Sequence, residues 1–175
     1  ENTKIPKHAL MQAFIEASEN FSEVALLQSK LDGPRYSDGE LVGIGGAKRV
    51  YASKDNVTGR TLVRAYPKPT DFEDDFLREA LLHAQLEHPN IIPFYDLGVE
   101  NETPYFCMKQ IQGESLEAYV STMELAGNAG KHRNELLDIF TKVCDAVSYA
   151  HAMGVLHLDI KPSNIQISGY GEVLV

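Results

Sequence analysis

The string HLDIKPSN, residues 157–164, most narrows what this chain can fold into. Pro162 has a fixed φ and no N–H to donate, so it stiffens a turn and excludes a helix interior or a central strand. Just before it runs NELLDIFTKVCDAVSYAHAMG, which has helical periodicity. Leu136, Phe140, Val143, Val147 and Ala150 share one face there, and Gly154 is placed to cap the C-terminus. After it come short apolar pairs broken by turns, NIQIS and GYGEVLV. The string is therefore expected to be a stiff loop between a long, buried helix and short strands.

The residues on that loop suit proton and phosphate chemistry. Asp159 is a carboxylate that the loop could present to a hydroxyl as a general base. Lys161 offers a cation to neutralise a transferring phosphoryl group, and Asn164 an amide oxygen suited to a hard cation such as Mg²⁺. An isolated Asp-x-Lys carries little information, because exposed loops are rich in such pairs. The whole H-x-D-x-K-P-x-N string after a helix ending AH-x-x-G is a specific signal.

Upstream, the texture is mixed α and β. ELVGIGGAKRVYAS and RTLVRAY read as strands with glycines between β-prone ends, DNVTG as a turn, and Pro67 and Pro69 as the close of the run. TDFEDDFLREALLHAQLEH reads as a helix over 70–88, capped by Thr70 or Asp71, with an acidic cluster at its positive end. IIPFYDLGVE and TPYFCMKQI are two strands joined by a turn at Asn101, and GESLEAYVSTMEL begins another helix. Residues 8–31 carry an apolar stripe (Leu10, Phe14, Ala17, Phe21, Val24, Leu31) that Asp32-Gly33-Pro34 ends. Such a stripe suits a docking or dimerisation helix, or one packed on the rest of its own domain.

A formal net charge of −9 over 175 residues, with the basic residues scattered, argues against nucleic-acid binding and against an anionic membrane surface. No apolar stretch approaches the roughly 18 residues of a spanning helix, and the N-terminus lacks a signal-peptide pattern. Cys107 and Cys144 have neither ligand nor disulfide spacing, which favours a reducing, cytoplasmic compartment. The histidines show no zinc spacing.

Together these segments resemble the eukaryotic-type serine/threonine protein kinases, in the manner of their bacterial members. HLDIKPSN is similar to the catalytic loop H-R-D-x-x-x-x-N, and the lysine after Asp159 resembles the serine/threonine branch. RYSDGELVGIGGAKRVYASKDNVTGRTLV resembles the glycine-rich loop and its following strands. FLREALLHAQLEHPNIIPFYDLG is similar to the small-lobe helix and fourth strand, and PYFCMKQIQGESLEAYV to the gatekeeper, hinge and first large-lobe helix.

The resemblance implies a kinase-like α+β fold in three parts. These are an N-terminal helical extension over 1–34, an antiparallel small lobe and hinge over 35–112, and part of a helical large lobe over 113–175. It also implies ATP with Mg²⁺, and a protein substrate or regulatory partner. On this resemblance Gly43 and Gly45 let backbone amides approach phosphates, and Val50 and Val63 roof the adenine over a floor at Gln166. Met108 is the gatekeeper, and the backbone of Lys109 and Ile111 bonds the base. Glu79 is the helix glutamate, Asp159 the base with Lys161 beside it, and Asn164 a metal ligand.

Several positions depart from the family pattern. The strand lysine falls on Ala65, which is expected to leave Glu79 without an ion-pair partner, so Glu79 reads either as a site residue or as a solvated helix residue. Lys48 stands at the third loop glycine, and Lys48 or Lys68 could reach in from nearby. Leu158 replaces the arginine, Gln166 an apolar floor residue and His83 an aliphatic one. The metal-binding Asp of D-F-G is not reached before Val175, so these 175 residues alone are expected not to turn over. An apolar face of the 134–153 helix is expected to be exposed. Two readings follow: an active kinase in full-length form, or a pseudokinase serving as a nucleotide-binding, scaffolding or regulatory module. Self-association through the N-terminal helix or the exposed helix is compatible with either.

Overall fold

The computed structural model describes residues 29–69, 73–125 and 132–175. Of the expected N-terminal helix, only residues 29–31 are among them, and these are helical. Residues 8–28, and the expected caps Thr70 and Asp71, lie outside the described residues.

Six antiparallel strands form the first layer: β1 (Tyr36–Ser37), β2 (Leu41–Ile44), β3 (Lys48–Asp55), β4 (Thr61–Pro67), β5 (Phe94–Glu100) and β6 (Thr103–Lys109). Their order is β1-β3-β4-β6-β5, with β2 also paired to β3. The β3–β4 hairpin is held in register by its turn. The Asp55 carboxylate accepts the N–H groups of Val57 and Thr58 at 2.9 and 3.1 Å, and Gly59 takes φ +76°. A side chain at that φ would be strained, which explains the glycine in DNVTG.

Strand β4 lies at the centre of the sheet, and Leu62, Val63, Arg64 and Ala65 are all buried. Alternation sends Val63 and Ala65 to one face, Leu62 and Arg64 to the other. The first face packs with Phe106 and with Phe76 and Ala80 of helix α1 (Glu73–His83). On the second, Arg64 is only 2% exposed, among the rings of Tyr36, Tyr66 and Tyr105 at 5.5–5.8 Å. Its guanidinium donates to Ser53 Oγ (2.9 Å), Asp38 Oδ1 (2.8 Å) and Glu100 Oε2 (3.0 Å), so the buried charge is paired and hydrogen-bonded.

Helix α1 ends at His83, five residues before the end read from the sequence. Pro89 disfavours helical backbone at His88, and the chain leaves through tight turns at Gln85 and Leu86. The His88 ring stacks on Tyr149 at 5.2 Å.

The second layer starts from a three-stranded sheet, β7 (Gly113–Ser115), β8 (Gln166–Ser168) and β9 (Val173–Leu174). GES is thus a strand, and helix α2 (Leu116–Leu125) starts after it, with the Ser115 hydroxyl accepting the Ala118 N–H at 3.2 Å. Helix α3 (Arg133–Ala152) buries Ile139, Val143, Ala146 and Ala150, the first two in one cluster with Ile165, Ile167 and Val173. Phe140, expected on the buried face, is instead 65% exposed, and Leu137 is exposed too. The two candidate seams share Val143 and Ala150 and differ by a small rotation, which the sheet's apolar residues Ile165, Ile167 and Val173 decide. Gly154 at φ +77° closes the helix, its N–H donating to His151 and that of Val155 to Ala150.

The layers are pinned beside the cleft. The Ile92 N–H donates to Val175 O, the Val175 N–H to Asn90 O, and Asn90 Nδ2 to Val173 O, at 3.1, 3.0 and 2.8 Å. Lys109 and Glu172 add an ion pair at 2.7 Å. Among the described residues, no helix is long and apolar enough to cross a membrane. Replacing Arg64 by Met strips the guanidinium bonds from the tyrosine cage. Thermal denaturation should show a loss of about 2 kcal/mol, and a loss below about 0.5 kcal/mol would contradict a structural role for the cage.

Candidate active site

The loop after α3 is shaped by one strained residue and two side chains. Leu158 adopts φ +61°, a conformation that costs a side-chain-bearing residue roughly 1–2 kcal/mol, with its own side chain exposed. The Asp159 N–H donates to His157 Nδ1 at 3.3 Å. Pro162–Asn164 forms a single 3₁₀ turn. From it Asn164 Nδ2 donates to the Asp159 backbone oxygen and to carboxylate Oδ2, both at 2.8 Å. Lys161 Nζ lies 2.9 Å from the same Oδ2. Lys161 first, then Asn164, hold the exposed Asp159 carboxyl below the usual aspartate range, so it is ionised at neutral pH. The loop therefore brings together Asp159, Lys161 and Asn164.

Across the cleft, the β2–β3 turn closes with the Gly45 N–H donating to Lys48 O at 2.9 Å. Nothing in the fold demands glycine here. An added Cβ would lie 3.7 Å from Val50 at Gly43, 3.7 Å from the Lys48 oxygen at Gly45, and beyond 4 Å of any atom at Gly46. The bare backbone instead gives room for a ligand to approach the amides closely, as a phosphate does.

Val50 faces Ala65 across β3–β4, and Val63 faces Met108 across β4–β6. The Lys109 N–H is engaged by Pro93 O at 2.9 Å, so it is not free to donate to a base, while Ile111 lies half-buried in the link to β7. Gln166 begins β8 opposite Ser115, and its amide donates to Ser163 O at 3.5 Å, the long limit of a hydrogen bond. The cost of placing an amide there is thus only partly offset.

Glu79 does have a partner. Lys48 Nζ forms an ion pair with Glu79 Oε1, which corrects the expectation drawn from Ala65. The two side chains are 29% and 48% exposed, so the pair stabilises the fold by at most about 1 kcal/mol. The Lys48 ammonium also lies 5.3 Å from the centroid of the Phe106 ring.

His83, at the end of α1, donates from Nε2 to Ile92 O at 2.7 Å and meets Phe94 and Phe106 edge-on at 5.5 and 6.3 Å. These contacts accommodate an imidazole where an aliphatic side chain was expected. Burial lowers the pKa of His83, and partial burial that of His157. Among the described residues, no group of three or more His, Cys, Asp or Glu is placed to hold a metal ion. Mg²⁺ often takes one or two side-chain oxygens beside phosphate oxygens, so the Asn164 amide oxygen fits part of such a site.

The lowered His83 pKa makes stability depend on pH. Its contribution to stability is complete above the ordinary value of 6.5 and is lost as pH falls through the lower folded value. Lys48, Glu79 and His157 are the neighbouring charges that modulate it. Thermal melts should therefore fall less between pH 7 and pH 5 in His83→Leu than in the wild type. Equal slopes would contradict a neutral, packed His83.

The sequence pattern described as "Protein kinase domain" matches residues 36–174. The chain is 32% identical over 155 residues to the serine/threonine-protein kinase PrkC of Bacillus subtilis, covering 86% of this chain and 23% of that protein. It is 33% identical over 152 residues to the probable serine/threonine-protein kinase PknB of Lactococcus lactis, covering 83% and 23%. The chain thus spans about a quarter of the length of these relatives. Among solved structures, the Mycobacterium tuberculosis PknI kinase domain superposes with a TM-score of 0.63 at 24% identity, over 81% of this chain and 58% of that one. That likeness shows the kinase fold, with a curled antiparallel small lobe followed by helices. By the extent of the sequence match and the fold together, this chain belongs to the protein kinase domain family, beside bacterial serine/threonine kinases.

Proposed function

We propose that the full-length protein carrying this domain is a serine/threonine protein kinase, transferring the γ-phosphoryl group of MgATP to a protein hydroxyl. The observation that carries the reading is Asp159, an ionised and accessible carboxylate oriented by Lys161 and Asn164 on a strained loop. The substrate oxygen forms a bond to the γ-phosphorus, the bond from that phosphorus to the β–γ bridging oxygen breaks, and the hydroxyl proton passes to Asp159. Lys161 supplies positive charge beside the transferring group. Mg²⁺, when bound with Asn164 among its ligands, neutralises phosphate charge. Gly43 and Gly45 seat the phosphates. Val50 and Val63 cover the adenine above Gln166, with Met108 behind it and Lys109 and Ile111 along its edge.

A protein as the acceptor is supported by the names of the relatives, and a reducing, cytoplasmic setting by two free cysteines. The exposed Leu137 and Phe140 on α3 give a surface for packing against a second copy or further parts of the same protein. A second reading, a nucleotide-binding or scaffolding module without transfer activity, is favoured by Ala65 and by the poorly partnered Gln166.

Asp159→Asn separates the two readings. In the full-length protein it should lower phosphoryl transfer by about 10²–10⁴-fold while leaving MgATP affinity within a few-fold. Transfer at the wild-type rate would contradict Asp159 as the base. A wild-type protein that binds MgATP yet transfers nothing would favour the second reading.

A further inference from the structure

The family's strand position for a phosphate-binding lysine is Ala65, a buried methyl with no exposed surface. We infer that Lys48 takes over this role from a different strand, so that the phosphate-binding cation is delivered by the glycine-containing loop itself. The inference rests on the nucleotide-binding reading above and deepens it.

The register makes the substitution geometrically direct. Val50 of β3 stands opposite Ala65 of β4, which in turn stands opposite Phe106 of β6. Side chains two residues apart on a strand share a face, so Lys48 projects to the same side as Val50, Ala65 and Phe106. Diagonal neighbours in such a ladder lie about 7–8 Å apart, a span a lysine side chain covers. The ammonium does return over this patch: it lies 5.3 Å from the Phe106 ring centroid and pairs with Glu79 of α1. Because residue 65 carries only a methyl group, nothing larger on β4 competes for that space.

The surroundings also favour a cation with a ligand to meet. Lys48 and Glu79 both lie close enough to His157, at the start of the HLDIKPSN loop, to influence its charge. The Lys48 side chain keeps 29% of its surface exposed, so it remains accessible to an incoming anion while Glu79 orients it. An ammonium has three donors, and one carboxylate oxygen uses only one of them. The same turn presents the bare backbone at Gly43, Gly45 and Gly46. One hairpin therefore supplies amides and a cation together, which a triphosphate can engage and a neutral nucleoside cannot.

The test compares MgATP with adenosine, which lacks phosphates, using calorimetry on the full-length protein and its variants. Lys48→Met should weaken MgATP at least about tenfold, the worth of one charge-assisted contact, and leave adenosine within about twofold. The double variant Lys48→Gly with Ala65→Lys returns the cation to β4 and should regain MgATP affinity to within a few-fold of wild type. Unchanged MgATP affinity in Lys48→Met overturns the inference while leaving the nucleotide reading intact. Equal losses for MgATP and adenosine would mean that Lys48 only shapes the cleft, which also overturns it. A wild-type protein that binds neither ligand overturns both the inference and the nucleotide reading.

Discussion

Ala65, at the centre of the central strand and without exposed surface, is the constraint on which the rest of the site depends. A small side chain there lets Phe76 and Ala80 of α1 pack directly on the inner face of the sheet together with Phe106. That packing places Glu79 at the edge of the cleft. It also removes the usual source of positive charge, so charge balance around Glu79 depends on a residue from another strand. Lys48 meets that need across a separation of 31 residues in sequence. The ion pair adds little to folding because both partners are partly solvated, so its value is positional.

The opposite face of β4 has a different arrangement. Arg64 carries a permanent charge into the interior, and three tyrosine rings, two carboxylates and a hydroxyl engage it. With both faces covered, β4 has little freedom to tilt. The hydrogen bonds from Asn90 and Ile92 to β9 and Val175 tie the segment after α1 to the strands that follow the HLDIKPSN loop. Short backbone and amide bonds thus join the two layers, while the loop carrying Asp159 stays exposed.

Much of this was legible in the sequence where a residue carries its own local mechanism. Pro162, Gly154 and the DNVTG turn each have one dominant backbone consequence, and the structure shows each of them. The catalytic-loop string was specific because its aspartate, lysine and asparagine interact within six residues. Periodicity located α3 but not its rotation: two seams sharing Val143 and Ala150 fit the same pattern, and only the sheet beneath chooses between them. The early end of α1 was obscured because HAQLEH has good helix formers. The Lys48–Glu79 pair and the Arg64 cage join residues far apart in sequence, so they needed the sheet register. The sequence clue to Lys48 was a cation two residues before Val50, on the same face of the strand as the residue opposite Ala65.

The most direct measurement of the central claim is an experimental structure of the protein with magnesium and a non-hydrolysable ATP analogue. The account predicts Lys48 Nζ within about 3 Å of a phosphate oxygen, with Glu79 still its carboxylate partner. Lys48 turned to solvent, with the phosphates held by Lys68 or by no lysine at all, would contradict it.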